Sequence, residues 1–282
     1  VAFTNGKGSV ANTRVMNNAL LYAKDFGALI VHHTEDPYLT QGAVMNAGEV
    51  STRLGLPGVS SAAEPIVLER DVRLVEVTGG RYHAATLSCA ASMAVIRAAK
   101  ARKLPVTCGV SINHLTLNEN DIGPYRTFFK LRPPLRSEDD RMSLVRALAA
   151  GEIDVIVSSH DPQDVEVKRQ PFAEAADGAI GLETLLAAAL RLNHNDDVPL
   201  LAILRAMTIN PARLLGLPSG RIEKGAAADL VLVDPGQPWV VDKTLIRARS
   251  KNSPFDESKM QGHVLLTLVA GRTVYRYAQS ER

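Results

Sequence analysis

IDVIVSSHDPQ (residues 153–163) is the stretch on which the fold turns. Ile153, Val155, Ile156 and Val157 form a short, β-branched apolar run, which predicts a buried strand. It then breaks into Ser158, Ser159, His160, an Asp-Pro step and Gln163, so the strand ends in a polar cluster. Just ahead, DDRMSLVRALAAGE (139–152) has helical spacing and stops at Gly151. A helix feeding a buried strand is one unit of a parallel α/β sheet.

The same unit recurs on both sides. Residues 11–26, 61–78 and 89–103 have helical period, and the last ends in cations. ALIVHH (28–33) and RYHAATLS (81–88) read as strands, and PVTCGVSINHL (105–115) as a strand leading into a loop. Residues 179–191, 199–207 and 208–217 read as helical. Polar side chains gather at strand C-termini: His32, His33, Thr86, Asn113, His114 and Ser158 to His160. In a (β/α)8 barrel that end carries the site. Four or five units can be counted, and VAFTN (1–5) already reads as a strand. The expectation is a TIM-type barrel over residues 1–219 whose first strands lie outside this chain.

From residue 220 the pattern changes. SGRIEKGAAADLVLVDPGQPWVV (219–241) and HVLLTLVAGRTVYR (263–276) alternate with period two around glycine turns. They predict strands of a small β-sandwich domain over 220–282. Its outer strands would lack partners here, so the chain is expected to need its own N-terminal fragment or another chain for stability.

The 282 residues carry 32 basic and 30 acidic side chains, a net charge of +2 spread along the chain. No block of like charge points to nucleic acid or a membrane surface. No apolar run is long enough to span a bilayer. Cys89 and Cys108 lie in apolar strand-like surroundings and read as buried free thiols of a cytoplasmic protein.

Longer motifs add a family. GEVSTRLGLPG (48–58), AAEPIVLERDVRLVEVTGGRYH (62–83), FKLRPPLRSEDDR (129–141), IDVIVSSHDPQ, GAIGLETLL (178–186), INPARLLGL (209–217) and GRIEKGAAADLVLVDP (220–235) resemble, in order, the dihydroorotases of the amidohydrolase superfamily found in multifunctional pyrimidine-pathway complexes. The resemblance implies reversible hydrolysis of a cyclic amide, dihydroorotate. It implies metal ions held by histidines and carboxylates at the barrel mouth, which activate a bound water.

Carried over position by position, the resemblance breaks at the chemistry. The family's first histidine pair has no counterpart in this chain. Its next acid falls at Asn5 or Gly6, its HCED-like histidine at His33, and its second histidine ligand at Thr86, with His83 three residues earlier. Strand alternation places His83 and Thr86 on opposite faces. The catalytic aspartate position is Ser159, whose hydroxyl is no general base near neutral pH. The adjacent His160 reads as tying the strand end to its neighbours. At the substrate positions stand Arg132, Gln163 and a retained His114. Arg132 has three readings: pairing with a carboxylate ligand, filling the substrate's space, or an internal salt bridge.

Three functions follow. The first is a non-catalytic dihydroorotase homologue with no cofactor. By the resemblance it would be a structural partner of aspartate carbamoyltransferase and a homo-oligomer. The second is an active dihydroorotase with zinc held mainly outside this chain, and Asp161 as replacement base. The third is a barrel with another ligand or reaction, including a serine hydrolase built on Ser158, Ser159 and His160.

Overall fold

A computed structural model describes residues 2–277; the expectations for Val1 and residues 278–282 lie outside them. In chain order the elements are β1 (Ala2–Thr4), α1 (Thr13–Asp25), β2 (Leu29–His32), β3 (Met45–Asn46), α2 (Glu49–Leu54), β4 (Gly58–Val59) and α3 (Ala63–Thr78). Next come β5 (Arg81–Leu87), α4 (Ala90–Ala101), β6 (Val106–Ser111), α5 (Ile112–Thr116), α6 (Glu138–Ala149), β7 (Val155–Val157) and α7 (Val165–Lys168). The chain ends with α8 (Leu185–Asn195), α9 (Leu200–Met207), α10 (Ile209–Leu215), β8 (Leu230–Val240), β9 (Lys259–Val269) and β10 (Arg272–Arg276).

Five strands form one parallel sheet in the order β1-β2-β5-β6-β7. Helices α1, α3, α4 and α6 follow or precede these strands, the pattern of a barrel wall. The helices start where side chains satisfy their free N–H groups. Asn12 Oδ1 accepts from Arg14 and Val15 N at the start of α1. Ser137 caps α6, whose first turn holds Glu138, Asp139 and Asp140 against the helix dipole. α3 stops at Gly79, in the left-handed region, and Lys24 Nζ donates to the Thr78 carbonyl at 2.9 Å.

The helix-facing side of the sheet is the core. Tyr82, Ala84, Cys108 and Val110 are buried there with Leu68, Val75, Met93 and Ile96. Both cysteines are free and buried, and burial pushes each thiol up to about 12. On the other side of the same strands, the row Val31, His83, Thr107 is less completely covered.

The sequence reading differs from the structure in four places. Residues 112–116 form a helical turn, α5, where a loop was expected; Ser111 Oγ accepts from Asn113 N and starts it. The helix expected at 179–191 runs from Leu185 to Asn195, because Ala179 bridges to His160 and keeps the chain extended. The strand expected to begin at His263 begins earlier, since β9 starts at Lys259. The expected β-sandwich is, among the described residues, one antiparallel sheet in the order β10-β9-β8. That sheet is poorly covered: Val231 and Leu232 are each 57% exposed.

Candidate functional site

The strand C-termini converge on a mouth, and each position taken from the sequence can be located there. β1 runs out into Asn5 and Gly6. Gly6 has φ +62°, contributes no donor, and faces open space. The next residue, Lys7, reaches across the mouth and donates to Asp161 Oδ2 at 2.5 Å. Asp161 follows β7, so this pair joins the two edge strands of the sheet. Asp161 Oδ1 also accepts from Gln163 Nε2 at 3.0 Å.

His33 follows β2. Its Nε2–H donates to Glu35 Oε2 at 3.0 Å. Arg132 grips the same carboxylate: Nε donates to Oε1 at 2.9 Å and to Oε2 at 3.1 Å, and a terminal nitrogen also binds Oε1. Glu35 is buried, which works to raise its pKa, but the bonds from His33 and Arg132 outweigh burial and bring it down to about 2. Of the three readings of Arg132, the internal salt bridge is the one present.

His83 does not stand at a simple opposite face from Thr86. The β5–β6 register slips between Ala84 and Leu87, so the two-residue alternation does not carry from one to the other. His83 Nδ1 is bonded to Thr107 Oγ1 at 2.8 Å, and burial lowers its pKa to about 4. It is a neutral structural histidine.

Ser159 sits past β7 with φ +49°. His160 Nδ1 accepts from Gly181 N at 3.2 Å, and His160 bridges Ala179, so this histidine does tie the strand end to its neighbour. Ser158 Oγ meets the backbone N of His160 rather than its ring. No Ser–His pair forms in this stretch, and the serine-hydrolase reading loses its geometry. His114 is buried; its Nε2–H donates to the carbonyls of Pro133 and Pro134 at 3.1 and 3.2 Å, and burial lowers it to about 4. It props the KLRPPLR loop from below.

The structure therefore brings together His33, Glu35 and Arg132, and separately Lys7, Asp161 and Gln163. Zinc needs three or four converging N, O or S donors. Among the described residues no three His, Cys, Asp or Glu side chains converge in that way. Gly6, Thr86 and Ser159 supply none of the usual ligands, which leaves His33, whose Nε2–H is bonded to Glu35, as a single donor. These residues do not fit a metal.

Two features were missed from sequence. Lys7 lies between two glycines at a strand end, a faint signal of a cation projecting over the mouth. His32 looked like a mouth residue beside His33 but faces the helices. Its Nε2 accepts from Val10 N at 2.7 Å, and its Nδ1–H donates to Asp71 Oδ2 at 2.7 Å. Tyr82 Oη and Arg70 also donate to Asp71. Strand alternation between His32 and His33 was the available clue.

Comparison with known proteins fits this framework. The amidohydrolase family profile matches residues 5–274. The chain belongs to the amidohydrolase family. A dihydroorotase of Anaplasma phagocytophilum is 40% identical over 277 residues, covering 98% of this chain and 62% of that protein. A dihydroorotase of Anaeromyxobacter dehalogenans is 39% identical over 284 residues, covering all of this chain and 66% of the relative. The chain thus spans somewhat under two-thirds of the first of these. Among solved structures, the L-hydantoinase of Arthrobacter aurescens superposes with a TM-score of 0.86 at 24% identity, over 98% of this chain and 63% of that one. The fold is that of the amidohydrolase barrel.

Proposed function

We propose that this chain is a dihydroorotase-type component of cytoplasmic pyrimidine biosynthesis that has lost its chemistry and keeps its framework. In this reading it is the structural partner of aspartate carbamoyltransferase, holding a symmetric assembly together.

The observation that carries the reading is the Arg132–Glu35–His33 cluster. The Arg132 guanidinium occupies the Glu35 carboxylate beside His33, the one retained ligand position, through three hydrogen bonds. The family's base position is a serine. A carboxylate locked near a pKa of 2 by a guanidinium is a poor proton acceptor at neutral pH. The buried framework motifs are kept, which fits selection for shape. The runner-up, an active dihydroorotase, is favoured by the 40% identity to curated dihydroorotases. It would need Asp161 as base, and Asp161 is already paired with Lys7.

Two assays on the intact protein test this. Dihydroorotate hydrolysis should be absent, and immobilised protein should retain aspartate carbamoyltransferase from a defined mixture. Turnover that Asp161→Asn abolishes would transfer the case to the active reading. Failure to retain the transferase would remove the structural role.

A further inference from the structure

The turn that follows β1 carries a reactive pair. Asn5 precedes Gly6, the only Asn-Gly step in the 282 residues. The two lie just past Thr4, the last paired residue of β1, in a turn that Gly8 N closes on the Asn5 carbonyl at 3.2 Å. All four residues of the turn are exposed. Gly6 has φ +62° and open space where a Cβ would stand, so no side chain of its own crowds its main-chain nitrogen. That nitrogen donates to an exposed hydroxyl, Thr4 Oγ1, at 3.0 Å, and not to the sheet. The Asn5 amide folds over the turn, with Nδ2 2.9 Å from where a Cβ on Gly8 would be. Glycine at position 8 leaves it that room.

Asn252, before Ser253, is the contrasting case. Asn252 is 2% exposed and Ser253 is fully buried. Asn252 Nδ2 donates to the carbonyls of Asp161 and Gly178 at 3.2 and 3.1 Å, and Ser253 N donates to the Lys251 carbonyl at 2.9 Å. Its amide is held in place and shut away from water.

We propose that Asn5 is a self-modification site, at which the Gly6 main-chain nitrogen converts the side-chain amide to a carboxylate in the folded protein. The Gly6 nitrogen gives its proton to water or hydroxide and forms a bond to Asn5 Cγ. The Cγ–Nδ2 bond breaks, and the amide nitrogen leaves as ammonia. This closes a five-membered imide, which water then opens. Breaking the new Cγ–N bond leaves an aspartyl residue. Breaking the original main-chain bond leaves an isoaspartyl residue, with the chain routed through Cγ. One water is consumed and one ammonia released, and nothing is oxidised or reduced. Either product adds one negative charge at the mouth. The Lys7 ammonium, bonded to Asp161, then has a second carboxylate within its own turn.

The proposal does not depend on the function proposed above. It is tested by holding the freshly purified, intact protein at mildly alkaline pH and mapping its peptides by mass spectrometry over time. A mass gain of one unit is expected to grow at position 5, with ammonia released in equal amount. Its rate is expected to lie within about tenfold of that in an unfolded peptide of residues 2–11, because an exposed glycine turn restrains the attack little. Asn252 is expected to stay unconverted while the protein is folded. In Asn5→Gln the gain is expected to vanish, because glutamine would have to close a six-membered ring. A folded-state rate more than about tenfold below the peptide's, equal conversion at Asn252, or a gain that persists in Asn5→Gln overturns the proposal.

Discussion

His32 and His33 are neighbours in sequence and belong to different regions. His32 points behind the sheet into a relay with Asp71, Tyr82, Arg70 and the Val10 amide. His33 points to the mouth, where Glu35 and Arg132 complete an ion pair. Behind the sheet, the polar groups are buried and bonded to one another as a fixed support. In front, the positions to which the family resemblance assigns metal and base are Gly6, Thr86 and Ser159, and the carboxylates of Asp161 and Glu35 are matched by Lys7 and Arg132. Two residues one apart at the same strand end thus serve two settings, a buried polar support behind the sheet and an ion pair at the mouth.

The largest expected effect breaks the rear region. Asp71→Ala strips the acceptor from His32, Tyr82 and Arg70 at once, in a site with no exposed surface. Losing one side of such a buried network costs about 3–5 kcal/mol. Urea denaturation should show it as a large fall in midpoint. A loss under about 1 kcal/mol would mean the relay is no support.

The mouth pair should matter less. Arg132→Ala leaves Glu35 with only His33, at a cost of about 1–2 kcal/mol, held low because the Arg132 side chain is half exposed. Its sharper signature is in acid. Glu35 is depressed from 4.5 to about 2, so the stability it supplies is full above pH 4.5 and is lost as pH falls towards 2. The variant's stability should fall less steeply across that window than the wild type's. Equal acid slopes would show that the ion pair does not set the Glu35 carboxyl.

Smallest of all should be Lys7→Ala. Lys7 is 74% exposed, so its bond to Asp161 is worth about 0–1 kcal/mol and is screened by salt. A loss of several kcal/mol, unchanged in high salt, would make the Lys7 clasp structural and erase the contrast between rear and mouth.

Much of this was legible in the sequence. The alternating apolar periods placed the strands and most helices, since buried strands and amphipathic helices leave different spacings. Ser159, Thr86 and Gly6 could be found only because the surrounding motifs resemble a family whose ligand spacing is fixed. The pairings were not legible. Arg132 and Glu35 are 97 residues apart, and Lys7 and Asp161 are 154 apart. Nothing local in either segment encodes its partner. The slip in β5 was also hidden, because RYHAATLS carries no glycine to announce a bulge. His160 was read correctly as a tie, since its environment is set by the strand it sits on.

The measurement that bears most directly on a mouth occupied by the protein's own cations is zinc content by elemental analysis of the intact protein, with dihydroorotate turnover on the same sample. The expected result is no stoichiometric zinc and no turnover. Stoichiometric, tightly held zinc accompanied by turnover would contradict it, and would require a catalytic base other than the residue at Ser159.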